Sequence, residues 1–538
     1  MKHISQYTLI VIIAIFFTLF YNFSFFTNVV NTYPLDGLNI VHFFSVGILL
    51  TSLVVFLFTL FSSKYTTKPI LIITLVVSSF AAYFMDTYHV VIDDSMIRNS
   101  LQTNLSESSD LFSLKLVLYI FLLGVLPSYF VYKTQIKYKS FKQEFFAKLK
   151  TICLSLAVVL IILFSFSKFY TSFLREHKPL RYHVNPIYWI YSIGNYINKS
   201  VNSGPIVVKQ IGLDAKINEE SHQKVDKTEL IIMVVGEAAR ANRFSLNGYE
   251  KETNPLLKKE EIYNFPNLYS CGTSTAESVP CMFSIFDKAD YDYKKGISTE
   301  NIIDVLKHTK NVNVLWRDNN SDSKGVALRT DFEDYRTSKT NTKCDDECRD
   351  VGMLVGLDDY IKKHQGEDIL IVLHQMGNHG PAYYKRYPKE FEKFTPVCKT
   401  NQLEQCTQEE VSNAYDNAIL YTDYFLSEVI NFLKPYSKDY ETAMLYMSDH
   451  GESLGENGLY LHGLPYFMAP DEQKHIASLM WFGEGDIKED VDLEKLNTYK
   501  NKLFSQDNLF HTLLGLFEVE TEVYKKEMDI LYDAKKPH

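Results

Sequence analysis

The chain has 538 residues, 46% of them hydrophobic and 14% aromatic, with a formal net charge of −10. That length supports more than one domain and a large core. The acidic balance, with no long single-sign charge run, excludes a chain built around a basic nucleic-acid footprint.

The N-terminal third reads as a membrane domain. Segments 8–30, 39–62, 69–85, 114–132 and 151–169 are each apolar enough to span a bilayer core. The first follows only Lys2 and His3 and lacks a small-x-small cleavage site, so it is expected to be retained rather than cleaved. Lys2, Lys64 and Lys68 in the loop 63–68, and Lys133, Lys137, Lys139, Lys142, Lys148 and Lys150 in the loop 133–150 mark the cytoplasmic side. Five spans then put everything after residue 170 outside. The expected organisation is a transmembrane domain over 1–170, a linker with an interfacial helix over 171–226, and a soluble domain over 227–538.

Cysteine usage agrees with export. Cys153 lies in the fifth span; the other six fall into close pairs, Cys271 with Cys281, Cys344 with Cys348, and Cys398 with Cys406. Close pairs in an exported domain predict local disulfides. The spacing of Cys344 and Cys348 also occurs in zinc sites, but no second thiolate or imidazole pair follows at a zinc-ribbon interval.

From Glu229 onward apolar runs alternate with helix-like segments. The runs are 230–237, 311–319, 368–380 and 441–453; the helix-like segments are 299–309, 350–363 and 410–434. This alternation predicts an α/β domain with a mostly parallel central sheet, whose ligands bind beyond the carboxyl ends of the strands. Those ends offer Glu237 and Arg240; Asp318, Asn319, Asn320, Ser321 and Lys324; His374 and His379; and Asp449 and His450, with His462 following. A single Asp after a strand usually caps a helix. Carboxylates and imidazoles at four strand ends together suit zinc, or less selectively manganese. The cysteine-bracketed stretch 269–284 adds four hydroxyls, Thr273, Ser274, Thr275 and Ser278. A hydroxyl bound to a divalent cation becomes a usable nucleophile, which fits phosphoryl or sulfuryl transfer.

Five motifs together resemble the phosphoethanolamine transferases that modify lipid A, a family that includes the mobile colistin-resistance enzymes and lies in the alkaline phosphatase and sulfatase superfamily. They are VVGEAARANRFSLNGYEKETNP (234–255), CGTSTAESVPCMFS (271–284), WRDNNSDSKGV (316–326), GNHGPAYYKRYP (377–388) and MSDHGESLGENGLYLHGLPY (447–466). The resemblance implies that Thr275 is the nucleophile and that Glu237, Asp449 and His450 hold a catalytic zinc with it. His379 and His462 are implied to contact substrate phosphate or a second zinc and to serve in catalysis. Asn320, Ser321 and Lys324 match the substrate-binding cluster, and Asn99, Thr103 and Glu107 match positions that bind the ethanolamine head. The implied reaction moves phosphoethanolamine from phosphatidylethanolamine to an envelope acceptor, lipid A by default, through a phosphoethanolamine-threonine intermediate. The implied location is the bacterial inner membrane with the catalytic domain in the periplasm, and the implied phenotype of lipid A modification is polymyxin resistance. A phosphoglycerol transferase acting on envelope glycans is the alternative, opposed by the CGTSTA stretch. A sulfatase lacks support, since no C/S-x-P-x-R pattern occurs at the nucleophile.

Overall fold

The computed structural model describes residues 4–103, 105–175, 177–201, 206–218, 227–499 and 502–536. The chain divides into two compact units, Met1–Ile97 with Phe112–Val201, and Arg98–Leu111 with Asn202–His538.

The first unit is helical. Among the described residues, four helices, Asn39–Phe61, Thr67–Tyr88, Leu114–Lys133 and Phe141–Ser165, are long and apolar enough to cross a membrane. The expected first span is a pair of helices, Gln6–Phe20 and Phe23–Thr32, bent by 57°, which makes a fifth span if the pair is counted as one. The break falls at Asn22, whose amide donates to the Phe17 carbonyl at 3.0 Å and pairs in both directions with the Asn185 backbone. A side chain that takes over a helix carbonyl supplies the cause of such a kink. The fifth expected span begins earlier than read, at Phe141, so Lys142, Lys148 and Lys150 lie on the helix rather than in a loop. Lys148 extends its ammonium to the carbonyls of Leu60 and Ser62 at 2.9 and 3.0 Å, capping the neighbouring helix end. Residues 187–201 form a helix whose Trp189 is buried against Ala81 and Met85 and donates to Ser78 Oγ. The expected polar boundary at 203–226 falls partly on 203–205 and 219–226, outside the described residues.

The second unit is built on a seven-stranded sheet. Its strands are β1 (Thr228–Gly236), β2 (Ile262–Asn264), β3 (Val312–Asp318), β4 (Asp331–Asp334), β5 (Asp368–His374), β6 (Tyr440–Ser448) and β7 (Ser478–Phe482). Their order is β2-β7-β6-β1-β5-β3-β4. The four pairings from β6 to β4 are parallel; β7 pairs antiparallel with both β6 and β2. The sheet is therefore mixed, because β7, unread in the sequence, inserts against the expected direction. Alternation along β1 sends Ile231, Met233 and Val235 into one core and Leu230, Ile232 and Val234 into the other. The second core is covered by the long helix Gln408–Leu433, started by a reciprocal Thr407–Glu410 capping box.

Register delivers the functional residues. Gly236 pairs with Ser448, so Glu237 and Asp449 leave adjacent strands side by side. Asp318 pairs with His374 on the next two strands. A Cβ on Gly236 would lie 2.6 Å from the buried Tyr446 ring. Gly236→Ala is therefore expected to destabilise the second unit by roughly 1–3 kcal/mol through overpacking, read as a lower unfolding midpoint in denaturant.

Candidate active site

Thr275 opens the helix Thr275–Met282, after Ser274 in extended conformation. Its hydroxyl lies 3.1 Å from Glu237 Oε2 and 3.4 Å from His450 Nε2. The amide-rich end of a helix favours negative charge on that oxygen. Cys271 and Cys281 are disulfide-bonded, as are Cys344 with Cys348 and Cys398 with Cys406. The first bond ties the start of the hydroxyl stretch to the helix that carries Thr275. Of the other hydroxyls, Thr273 donates to the Leu464 carbonyl and ties the loop to that segment, and Ser278 Oγ accepts from the Gly272 amide within the loop.

Glu237, Asp449 and His450 are fully buried, and one ligand atom from each lies within 4.8 Å of the others. His450 Nδ1 faces the Gly451 carbonyl at 2.8 Å, which makes Nδ1 the protonated nitrogen. Nε2 then presents a lone pair toward Glu237 Oε1 at 3.4 Å and Asp449 Oδ2 at 3.3 Å. Asp449 Oδ1 is satisfied by the amides of Ala238 and His450, whereas buried Oδ2 has no hydrogen-bond partner. Two carboxylates and an imidazole lone pair converging in a dry site are all acceptors. A divalent cation satisfies that set, and oxygen with one imidazole suits zinc.

A second group of His450, Glu452 and His462 lies beside it. The His450 and His462 rings are 4.1 Å apart, and the His379 ring is 5.8 Å from His462. Glu452 accepts from His462 Nδ1 and from Tyr383 Oη, both at 2.6 Å. Burial, reinforced by Arg386 and His462, holds His379 well below the ordinary imidazole pKa.

The turn after β3 is built by Asp318. Its Oδ1 accepts from the amides of Asn320 and Asp322, and its Oδ2 from Trp316 and His374. Burial raises the Asp318 carboxyl, but His374 and these donors outweigh it and leave the pKa below the ordinary value. Asn320 donates to Glu237 Oε2 at 2.8 Å. Ser321 is buried and contributes its carbonyl to Lys324 Nζ at 3.1 Å. Lys324 has φ +50° and Ala238, directly after Glu237, has φ +54°, so backbone strain concentrates here. Lys324 Nζ also reaches the Gln102 carbonyl at 3.5 Å, which brings the segment containing Asn99 and Thr103 to the same side of the site. Thr103 spends its hydroxyl on the Asn99 carbonyl at 2.8 Å. The side chain of Glu107 is outside the described residues.

Sequence reasoning missed Gln506. Fully buried, it donates to the carbonyls of Ser448 and Asp449 and accepts from the Cys271 amide, joining the nucleophile loop to the Asp449 strand end. A lone Gln late in the chain carries no pattern that could have found it. Lys288 was missed too. It donates to the Cys271 carbonyl at 2.6 Å, and burial pulls its pKa down to about 7 against the opposing pull of Glu277 and Asp507.

The sulfatase family matches residues 229–519, and the family described as phosphoethanolamine transferase EptA/EptB matches 50–201. Phosphatidylethanolamine transferase Mcr-1 of Escherichia coli is 42% identical over 534 residues, covering 97% of each chain. Phosphoethanolamine transferase EptA of Escherichia coli K12 is 38% identical over 529 residues, covering 97% of this chain and 96% of that one. The solved lipooligosaccharide phosphoethanolamine transferase A of Neisseria meningitidis, an integral membrane protein, superposes with a TM-score of 0.95 at 34% identity over the whole of both chains.

Asp318→Asn puts an amide where two donors meet one oxygen, and is expected to cost roughly 1–3 kcal/mol at neutral pH. Because the folded pKa is depressed, the carboxylate's contribution is present above its ordinary value and lost as pH falls through the folded one. The variant should therefore show a shallower loss of stability on acidification than the wild type, measured by denaturant unfolding across pH.

Proposed function

The chain belongs to the phosphoethanolamine transferase family of EptA and Mcr-1, and from that premise we propose that it transfers phosphoethanolamine from phosphatidylethanolamine to lipid A at the periplasmic face of the inner membrane. The observation that carries the reading is Thr275 Oγ1 at a helix start, within 3.1 and 3.4 Å of two of the three buried metal-type ligands. We assign 1–170 to the membrane domain, 171–226 to the joining segment and 227–538 to the catalytic domain. Lipid A modification of this kind is the basis on which the protein would confer polymyxin resistance.

Glu237, Asp449, His450 and Thr275 would hold one zinc, with His379 and His462 beside it available for substrate phosphate or a second. Bound there, zinc supplies positive charge that lowers the hydroxyl pKa of Thr275 and offsets negative charge on phosphate oxygens. Thr275 Oγ attacks the phosphorus of the donor, and the bond from phosphorus to the diacylglycerol oxygen breaks. The proton released from Thr275 reaches that oxygen through the imidazole of His379 or His462. An acceptor phosphate oxygen then attacks the same phosphorus, the bond to Thr275 Oγ breaks, and the acceptor's proton returns to Thr275 Oγ through the same imidazole. Lys324 and Asn320 orient the phosphoryl group, while Asn99, Thr103 and Glu107 receive the ammonium head. The membrane location fits, since donor and acceptor are both lipids.

The test uses full-length protein in lipid nanodiscs containing phosphatidylethanolamine. Mass spectrometry should find phosphoethanolamine on the peptide containing Thr275, and none after Thr275→Ala; an adduct persisting in that variant refutes the assignment. Envelope lipids from cells with and without the protein should differ by phosphoethanolamine on lipid A, and its appearance only on other glycans would reassign the acceptor.

Metal removal gives a separate readout. Chelation should lower the melting temperature of the wild type, since a ligand at 100 times its Kd stabilises by about 2.7 kcal/mol. A Glu237→Gln, Asp449→Asn double variant should carry little zinc by elemental analysis and melt at the same temperature with or without chelator.

A further inference from the structure

Arg386 lies in the motif 377–388 and is assigned no part in the chemistry above. Its side chain is 2% exposed, yet it carries a permanent charge. All three arms of the guanidinium are engaged. Nε donates to the His379 carbonyl at 2.6 Å, Nη1 to Glu347 and Nη2 to Asp110. These acceptors come from three separate stretches of chain.

Each stretch has its own anchor. Asp110, 5% exposed, also receives Lys385 Nζ at 2.6 Å, and its carbonyl receives Asn401 Nδ2 at 2.7 Å. It is the penultimate residue of the segment Arg98–Leu111, which groups with the second compact unit although the flanking residues group with the first. Earlier in that segment Arg98 stacks on Tyr293 with its guanidinium 4.1 Å from the ring centre, and Gln102 meets Lys324. Glu347 stands inside the short loop closed by Cys344 and Cys348. From the same loop Asp345 pairs with Arg349, which donates to the Lys385 carbonyl at 2.6 Å. This loop thus holds the Arg386 side chain through Glu347 and, through Arg349, the backbone carbonyl just before it.

We propose that Arg386 is a positioning residue that couples the seating of the segment Arg98–Leu111 to the placement of His379. Asp110, in the segment that carries Asn99 and Thr103, meets the backbone that carries His379 through this fork and its neighbour Lys385. Withdrawal of Asp110 leaves a buried guanidinium without one of its two carboxylates, which favours rearrangement of the whole fork. Loss of the fork frees the His379 carbonyl, and a displacement of about 1 Å at a reacting group is enough to cost roughly 100-fold in rate.

Hydrogen exchange on the full-length protein in nanodiscs tests the coupling without reference to activity. Asp110→Asn should raise exchange across 98–111 and also across 379–387, and Arg386→Gln should raise it across 98–111, because coupling is reciprocal. Exchange that rises only around the substituted residue overturns the proposal. The kinetic arm rests on the phosphoethanolamine-transfer reading. Arg386→Gln should lower kcat roughly 100-fold and raise the donor KM, and Arg386→Lys, which keeps the charge but not the fork, should lose turnover while retaining its melting temperature. Wild-type kcat and KM in a folded Arg386→Lys variant would overturn it. If wild-type protein transfers no phosphoethanolamine, the functional reading fails and the exchange pattern alone decides the coupling.

Discussion

The second unit depends on one electrostatic constraint. Two carboxylates, Glu237 and Asp449, and the imidazole of His450 are withdrawn fully from water within a few ångströms of one another. Asp449 Oδ2 and His450 Nε2 both present lone pairs to the same point. Desolvating like charges in this way is costly unless a cation sits among them. The neighbouring donors, Asn320 and Thr275 to Glu237 and two amides to Asp449, offset part of that cost and leave the central face open. The same arrangement that demands a cation places a hydroxyl at its edge.

The sheet meets this constraint through register rather than through a dedicated loop. Parallel strands β1 and β6 end level, and the next residue of each is a buried carboxylate, Glu237 and Asp449. Strands β3 and β5 end level in turn, and Asp318 with His374 builds the turn that supplies Asn320 and Lys324. Gln506 then joins the Asp449 strand end to the Cys271 amide, so the disulfide-bracketed loop is fixed to the sheet at one end and to its own helix at the other. Catalytic geometry of this kind relies on rigid elements more than on the loop itself.

Much of this was legible in the sequence because strands ending in polar residues are local patterns. The runs that became β1, β3, β5 and β6 were read from apolar composition, and their ends named Glu237, Asp318, Asn320, His374 and Asp449. Three strands were not read. β2 and β4 are three and four residues long, and β7, SLMWF, is too short to separate from a loop by periodicity. Missing β7 hid the two antiparallel pairings that make the sheet mixed. The bend at Asn22 depends on Asn185, far along the chain, and no local signal announces it. Motif resemblance selected Thr275 from four hydroxyls; the structure shows a physical distinction, since Thr273 is spent on the Leu464 carbonyl and Ser278 on the Gly272 amide, while Thr275 faces Glu237 and His450.

Zinc K-edge X-ray absorption of purified full-length protein tests the central claim most directly. A first shell of oxygen and one imidazole nitrogen at roughly 2.0–2.2 Å, with no sulfur, is the result this account predicts. Sulfur scattering at roughly 2.3 Å, which would put the metal on cysteine thiolates instead, would contradict it.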